Sequence, residues 1–287
     1  MTITRRALLL STLTLALAAG SAAAKDPKEL VIGTSTGPYA DQIKLGIKPI
    51  LEKQGYKVKL VEFNDYVQPN FALAEGSLDA NVFQHAVYLN KFAAEHKLAL
   101  TDLVQIPTAP IAIYSRKHKA LSEAREGQTV AMPNDPTNQA RALVMLDQLG
   151  WIKLRDKVDP LRASEKDIVN NIKKVKLVAL EAAQLPRSLQ DTDFSFINGN
   201  YALASGIRLK EALLTEKISA NYVNLVAIRS ADKDKQFAKD IAAAYRSQAF
   251  LDVTNKHFAD YAKTDDQLAL EAAAKPAAKP AAKPAKK

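Results

Sequence analysis

Strand-length apolar runs alternate with stretches of helical spacing from Glu29 to Tyr261, and this alternation restricts the chain to folds that layer helices on sheets. LVIGTST and YKVKLVEF flank a segment from Pro38 to Gln54 in which Ile43, Ile47, Ile50 and Leu51 share one helical face, a βαβ opening. Gln68 to Glu75 then reads as a helix, LDANVF as a short strand and Ala86 to His96 as a longer helix. The next run, LVQIPTAPIAIYS, is interrupted by Pro107 and Pro110. Proline is poorly tolerated in central strands, so this segment leaves one sheet and crosses to another. A second set follows: QTVAMP, the helix after Pro136, KLVAL, a helix around Gln184, FSFIN and a helix around Ala204. YVNLVAIRS leads back, and a long helical segment runs from Lys233 to about Tyr261. Two α/β units joined by paired crossings describe a bilobal clamshell, with residues 29–109 plus 225–265 as lobe 1 and 110–224 as lobe 2. Its ligand site is expected in the cleft between them.

The ends read differently. Arg5 and Arg6 precede an apolar run from Ala7 to Ala19, and Ser21-Ala22-Ala23-Ala24 supplies the small residues that a signal peptidase reads. Residues 1–24 are therefore expected to be a cleavable signal peptide, whose paired arginines leave both general and twin-arginine export open. No other segment reaches the roughly 18 consecutive apolar residues of a membrane span. Cysteine is absent, which removes disulfides, a thiol nucleophile, thiolate metal sites and a lipidated cysteine at the cleavage point. The expectation is a soluble periplasmic protein without a lipid anchor. Residues 271–287, with their recurring Ala-Ala-Lys-Pro, offer no large apolar side chain after Glu271 and are expected to form a disordered arm. That arm is either inert or makes weak contact with anionic envelope polymers.

The net charge of +9 does not indicate nucleic acid. Two of those charges are Arg5 and Arg6 and five are Lys275, Lys279, Lys283, Lys286 and Lys287, so the remainder carries only +2. Nor do the residues spell out a familiar enzyme. The histidines are His85, His96, His118 and His257, none in an HExxH motif, and there is no GxSxG elbow, GxGxxG loop or P-loop. The chain reads as a binding protein with no cofactor.

Binding chemistry is concentrated in a few segments. In AMPNDPTNQAR a buried strand ends in a turn, Asp135 fits a helix N-cap with Pro136 at the first helical position, and Arg141 follows within two turns. Free N–H groups and the helix dipole favour an anion at such a strand end, and a guanidinium can hold a carboxylate through two hydrogen bonds. Taken alone, Arg141 is better read as half of a surface salt bridge, and only the rest of the chain favours a ligand. Phe83, His85 and Tyr88 lie where a strand turns into a helix, with Tyr66 on an earlier loop. These rings could surround a thioether, or they could be ordinary core. Asn138, Asn198 and Asn224 fall at predicted strand or helix ends, where asparagine either closes a turn or touches a ligand.

Together PNDPTNQAR, DANVFQHAVYL, FINGNYA and YVNLVAIR resemble the NlpA lipoprotein family, the methionine-binding receptors of ABC importers, from about Leu30 to His257. The resemblance implies a type II periplasmic-binding-protein fold, no catalysis, and delivery of a captured amino acid to a membrane permease driven by a cytoplasmic ATPase. It also implies that Tyr66, Phe83, His85 and Tyr88 enclose the ligand side chain. Arg141 then pairs with the α-carboxylate, and Asn138, Asn198 and Asn224 hold the carboxylate and ammonium groups. The expected ligand is L- or D-methionine or a close derivative. The alternatives are a receptor for another small carboxylate or sulfonate and an envelope-associated protein acting through its basic tail.

Overall fold

The computed structural model describes residues 28–274, so the signal-peptide reading of residues 1–24 and the tail beyond residue 274 lie outside the described part. The βαβ opening is present: Glu29–Ser35 and Lys57–Phe63 pair in parallel, and Ile43, Ile47 and Leu51 are buried against them, as their spacing predicts. The connecting segment is not one regular helix. Pro38–Gln42 and Lys48–Glu52 are α-helical, and Ile43–Ile47 between them is a π-helical stretch. Pro49 has no N–H to return to the carbonyl four residues back, and the turn before it widens. Gly46 lies on that wide turn, where an added Cβ would stand 2.5 Å from the Phe250 ring.

The first sheet has the spatial order Lys57–Phe63, Glu29–Ser35, Ala80–His85, Asn224–Arg229, Leu100–Gln105. Its first three strands are parallel, and Asn224–Arg229 runs antiparallel to both its neighbours. The second sheet has the order Leu214–Thr215, Ile111–Tyr114, Phe194–Asn198, Thr129–Pro133, Lys176–Leu180. Each sheet carries its own buried core, one centred on Ile32, Val82 and Ile241, the other on Ile113, Met132 and Phe194. The α/β architecture of two lobes expected from the alternation is borne out.

The prolines mark the crossing as read. Leu100–Gln105 ends before Pro107 in one sheet, and Ile111–Tyr114 starts after Pro110 in the other. Thr108 ties the crossing to two distant segments. Its N–H donates to the Ala262 carbonyl at 3.0 Å, its carbonyl accepts from Ala262 at 2.9 Å, and its hydroxyl accepts the Asn224 N–H at 2.8 Å. The outgoing and returning crossings are thus bonded side by side.

Two readings of the C-terminal part are corrected. The long helical segment is divided into Gln236–Tyr245 and Gln248–His257, because the Ser247 hydroxyl accepts the Phe250 N–H at 3.1 Å and starts a second helix. The arm does not begin at residue 271: the helix Asp265–Ala274 takes in residues 271–274. Asp265 and Asp266 favour its N-terminus, Lys263 pairs with Glu271, and no proline intervenes before residue 276.

Candidate functional site

All eight residues singled out in the sequence line one narrow cleft between the lobes, whose cavity is only about 20 Å³. Tyr66, Phe83, His85 and Tyr88 come from the first lobe and Asn138, Arg141 and Asn198 from the second. Asn224 opens the strand that returns between them. The lobes meet directly across the cleft. The Tyr66 hydroxyl donates to Asn200 Oδ1 at 2.7 Å, the Tyr201 hydroxyl to the Asn64 carbonyl at 3.2 Å, and Asn200 Nδ2 to Ser35 Oγ at 3.3 Å.

The aromatic wall is both packed and exposed to the cleft, so the two readings of these rings coincide. Tyr66 stacks on Phe83 at 5.6 Å between centroids, Tyr88 meets Phe83 edge-on at 6.0 Å, and the Tyr88 hydroxyl donates to the Tyr66 carbonyl at 2.9 Å. Burial pushes both phenols up, keeping them neutral. Beneath this wall Asn70, Asn81 and Gln84 form a buried amide network, in which Gln84 Nε2 donates to Asn70 Oδ1 at 2.7 Å and to Asn81 Oδ1 at 2.9 Å. Such a network, satisfied on all three members, fixes the strand that carries Phe83 and His85.

His85 caps the helix Ala86–His96, its Nδ1 accepting the Tyr88 N–H at 3.1 Å. That bond places the proton on Nε2, which faces Asn138 Oδ1 at 3.4 Å. Burial, with Arg141 nearby, pushes the imidazole from 6.5 down to about 3, so it stays a neutral donor at physiological pH. Its folded pKa is depressed, so the stability it contributes is complete above the unfolded value of 6.5 and is lost as pH falls toward about 3. The melting temperature is expected to fall across that window, and to fall less steeply in His85→Asn, which keeps a cap and a donor but does not titrate. Thermal melts of both proteins at stepped pH check this; parallel curves would reject it.

The helix Pro136–Gln148 starts as its sequence predicts, with Asp135 as N-cap and Pro136 next. The expected anion site at its N-terminus is, however, filled by the chain itself. Asp135 Oδ1 accepts the Asn138 N–H and the Thr137 hydroxyl, and its Oδ2 accepts Asn138 Nδ2, all at 2.9 Å. Burial raises the Asp135 pKa, and the bonds from Asn138 and Thr137 act against that rise.

Arg141 is no surface arginine. It is 4% exposed and lies over the Tyr222 ring, its guanidinium carbon 4.6 Å from the centroid. Its Nε and Nη2 donate to the two carboxylate oxygens of Glu216, the first at 3.0 Å, and its Nη1 donates to Asn138 Oδ1 at 2.9 Å. Burial opposes the charge, but the Glu216 carboxylate outweighs it and the guanidinium is held above its ordinary pKa. Of five N–H groups, two, one on each terminal nitrogen, remain for another acceptor.

The asparagines divide their work. Asn138 is spent on the protein, its Oδ1 accepting from Arg141 and, at 3.0 Å, from Asn198 Nδ2. Asn224 Nδ2 donates to the Phe83 carbonyl at 3.0 Å. Asn198 Oδ1 is different: it is buried and has no hydrogen-bond donor among the described residues. Sequence reasoning missed Tyr39, Asn200, Tyr222 and Glu216. Asn200 lies within FINGNYA and was within reach, whereas a single glutamate after a two-residue strand carries no sequence signal.

Comparison with known proteins places these features. The family model "NlpA lipoprotein" matches residues 30–267. A D-methionine-binding lipoprotein MetQ from Escherichia coli (strain K12) is 40% identical over 237 residues, 82% of this chain and 87% of that protein. A probable D-methionine-binding lipoprotein MetQ from Pasteurella multocida (strain Pm70) is 39% identical over 243 residues, 84% of this chain and 88% of that protein. Among solved structures, a nutrient binding protein from Burkholderia cenocepacia bound to methionine is similar with a TM-score of 0.76 at 40% identity, covering 80% of this chain and 97% of that one. The methionine binding protein MetQ gives a TM-score of 0.79 at 39% identity over 83% and 99% of the two chains. The periplasmic-binding-protein clamshell is thereby borne out. One expectation is overturned: the matching family and the curated relatives are lipoproteins by name, against the reading of a protein without a lipid anchor. That reading drew a conclusion about anchoring from the absence of cysteine, and it is withdrawn. The chain belongs to the NlpA lipoprotein family.

Proposed function

We propose that this protein is the substrate-binding component of an ABC importer for methionine, holding the amino acid between its lobes. The observation that carries the reading is the convergence, in one cleft, of a buried guanidinium, an acceptor at Asn198 that has no donor among the described residues, and an aromatic wall. A zwitterion with a thioether chain needs these three environments: N–H donors for its carboxylate, a carbonyl oxygen for its ammonium and polarisable ring edges for its sulfur. In this reading Arg141 and the neutral His85 donate to the carboxylate, Asn198 accepts from the ammonium, and Tyr66, Phe83 and Tyr88 enclose the side chain. Asn138 and Asn224 hold these groups in place. Lobe 1 (29–109 with 225–265) and lobe 2 (110–224) close by bending at the crossings near Thr108 and Asn224. The protein then passes its ligand unchanged to a permease and its ATPase, without catalysis. Relatives named for D-methionine and a similar structure bound to methionine support this ligand, and they leave both enantiomers to be measured.

The test is mass spectrometry of small molecules released when the purified protein is denatured, followed by calorimetric titration with L-methionine, D-methionine and competing carboxylates and sulfonates. Release of methionine and micromolar or tighter binding of either enantiomer is the expected result. Binding of a carboxylate or sulfonate that lacks an amino group, in preference to methionine, would overturn it.

A further inference from the structure

Arg141 is already neutralised before any ligand is considered. Glu216 grips it on the Nε–Nη2 edge with a carboxylate whose side chain is 10% exposed, and Asp135 lies a turn away on the other side of Asn138. Glu216 itself is positioned by the second sheet: it follows the strand Leu214–Thr215, and its N–H donates to the Ile111 carbonyl at 3.0 Å. Tyr222 closes the opposite face of the guanidinium. The guanidinium that lines the cleft is therefore not a bare cation: Glu216, outside the cleft lining, pairs with it from behind, through contacts that do not involve a ligand.

This changes what the cleft can accept. A lone buried guanidinium would be best matched by an anion, since any ligand lacking negative charge would leave it uncompensated. A guanidinium already paired with Glu216 has two N–H groups for a carboxylate but no net charge to offset. A pure anion placed there would bring an uncompensated negative charge beside Glu216 and Asp135. A ligand carrying its own ammonium brings none, and the Asn198 oxygen gives that ammonium its acceptor. We propose that Glu216 is a specificity-determining residue, which balances the charge of Arg141 so that the cleft selects amino acids as zwitterions over the corresponding simple carboxylates.

The inference rests on the reading of the cleft as a methionine site. It is tested with methionine and its des-amino analogue, 4-(methylthio)butanoate, which keeps the carboxylate and thioether and lacks the ammonium. The unaltered protein is expected to prefer methionine by about a hundredfold or more. In Glu216→Gln, which is nearly isosteric and uncharged, that preference should shrink at least about tenfold, with the analogue binding more tightly than it does to the unaltered protein. Glu216→Asp keeps the charge and should keep the preference even if both affinities fall. A merely structural role would weaken both ligands alike and leave the ratio unmoved, which would overturn the proposal. Circular dichroism establishes folding, and if Glu216→Gln does not fold, Glu216→Ala, which admits water beside the guanidinium, is read the same way. The two failures are distinct: binding of methionine with an unmoved ratio rejects the role of Glu216 alone. Binding of neither ligand by the unaltered protein rejects the methionine reading and this proposal with it.

Discussion

Arg141→Ala is expected to weaken methionine binding a few hundredfold to a few thousandfold and to destabilise the protein at the same time. Both effects follow from its partners. For the ligand, the variant removes the proposed N–H donors to the carboxylate and leaves the Glu216 charge unbalanced behind it in a water-poor cleft, and leaving one half of a buried pair alone costs about 3–5 kcal/mol. For the fold, it leaves the Glu216 carboxylate with only 10% side-chain exposure and no cation, and it strips a donor from Asn138 Oδ1. A similar cost of about 3–5 kcal/mol, at about 2–4 °C per kcal/mol for a chain of this size, lowers the melting temperature by roughly 6–20 °C. Arg141→Lys should recover part of the binding, since an ammonium satisfies the charge but cannot span both oxygens of Glu216 while facing a ligand. Calorimetry and thermal melts measure the two effects separately. Methionine binding by Arg141→Ala as tight as in the unaltered protein would remove Arg141 from the site.

Phe83→Ala separates recognition of the side chain from recognition of the amino-acid head. Phe83 is 3% exposed, stacked on Tyr66 and edge-on to Tyr88, so its removal opens a cavity that costs about 3–5 kcal/mol of stability. The selective effect is on the ligand: sulfur–ring contact and apolar burial are lost for methionine but not for alanine, which has no thioether chain. Methionine affinity is expected to fall about tenfold more than that of alanine, a ratio consistent with sulfur–aromatic contacts of about 0.3–1.5 kcal/mol plus lost apolar contact. An equal loss for the two ligands, measured by calorimetry, would place the thioether elsewhere.

Local signals carried much of the fold. The helix Ala86–His96 begins and ends where its residues say it should, because His85 supplies the cap and the left-handed Lys97 ends it. The Asp135-Pro136 start was legible for the same reason: capping is a contact between near neighbours. The π-helical stretch at Ile43–Ile47 was not legible, because its apolar spacing is that of an ordinary helix and only the approach of Phe250 shows why Gly46 is there. In the site, residues grouped in motifs came together as read, while Glu216 and Tyr222 reach Arg141 from 75 and 81 positions along the chain. What Arg141 does depends on that distant carboxylate. From PNDPTNQAR alone, the arginine looked either free for a ligand or spent on a salt bridge; it makes the salt bridge, to Glu216, and still keeps an N–H group on each terminal nitrogen for another acceptor.

The placement of Asn224–Arg229 between Ala80–His85 and Leu100–Gln105 also sets an order of assembly. The second sheet comes from one continuous stretch, residues 111–215, and every partner it needs is present once that stretch has emerged. The first sheet stays split, its Leu100–Gln105 strand separated from Ala80–His85, until the strand that joins them arrives more than a hundred residues later. Ala262 must then arrive to close the ladder on Thr108. Long-range closure of this kind is slow and leaves strand edges unpaired while it waits. In a refolding pulse, amide protection is therefore expected first in strands such as Phe194–Asn198 and last in Leu100–Gln105, so the nascent chain is most exposed to aggregation in the lobe that carries the aromatic wall.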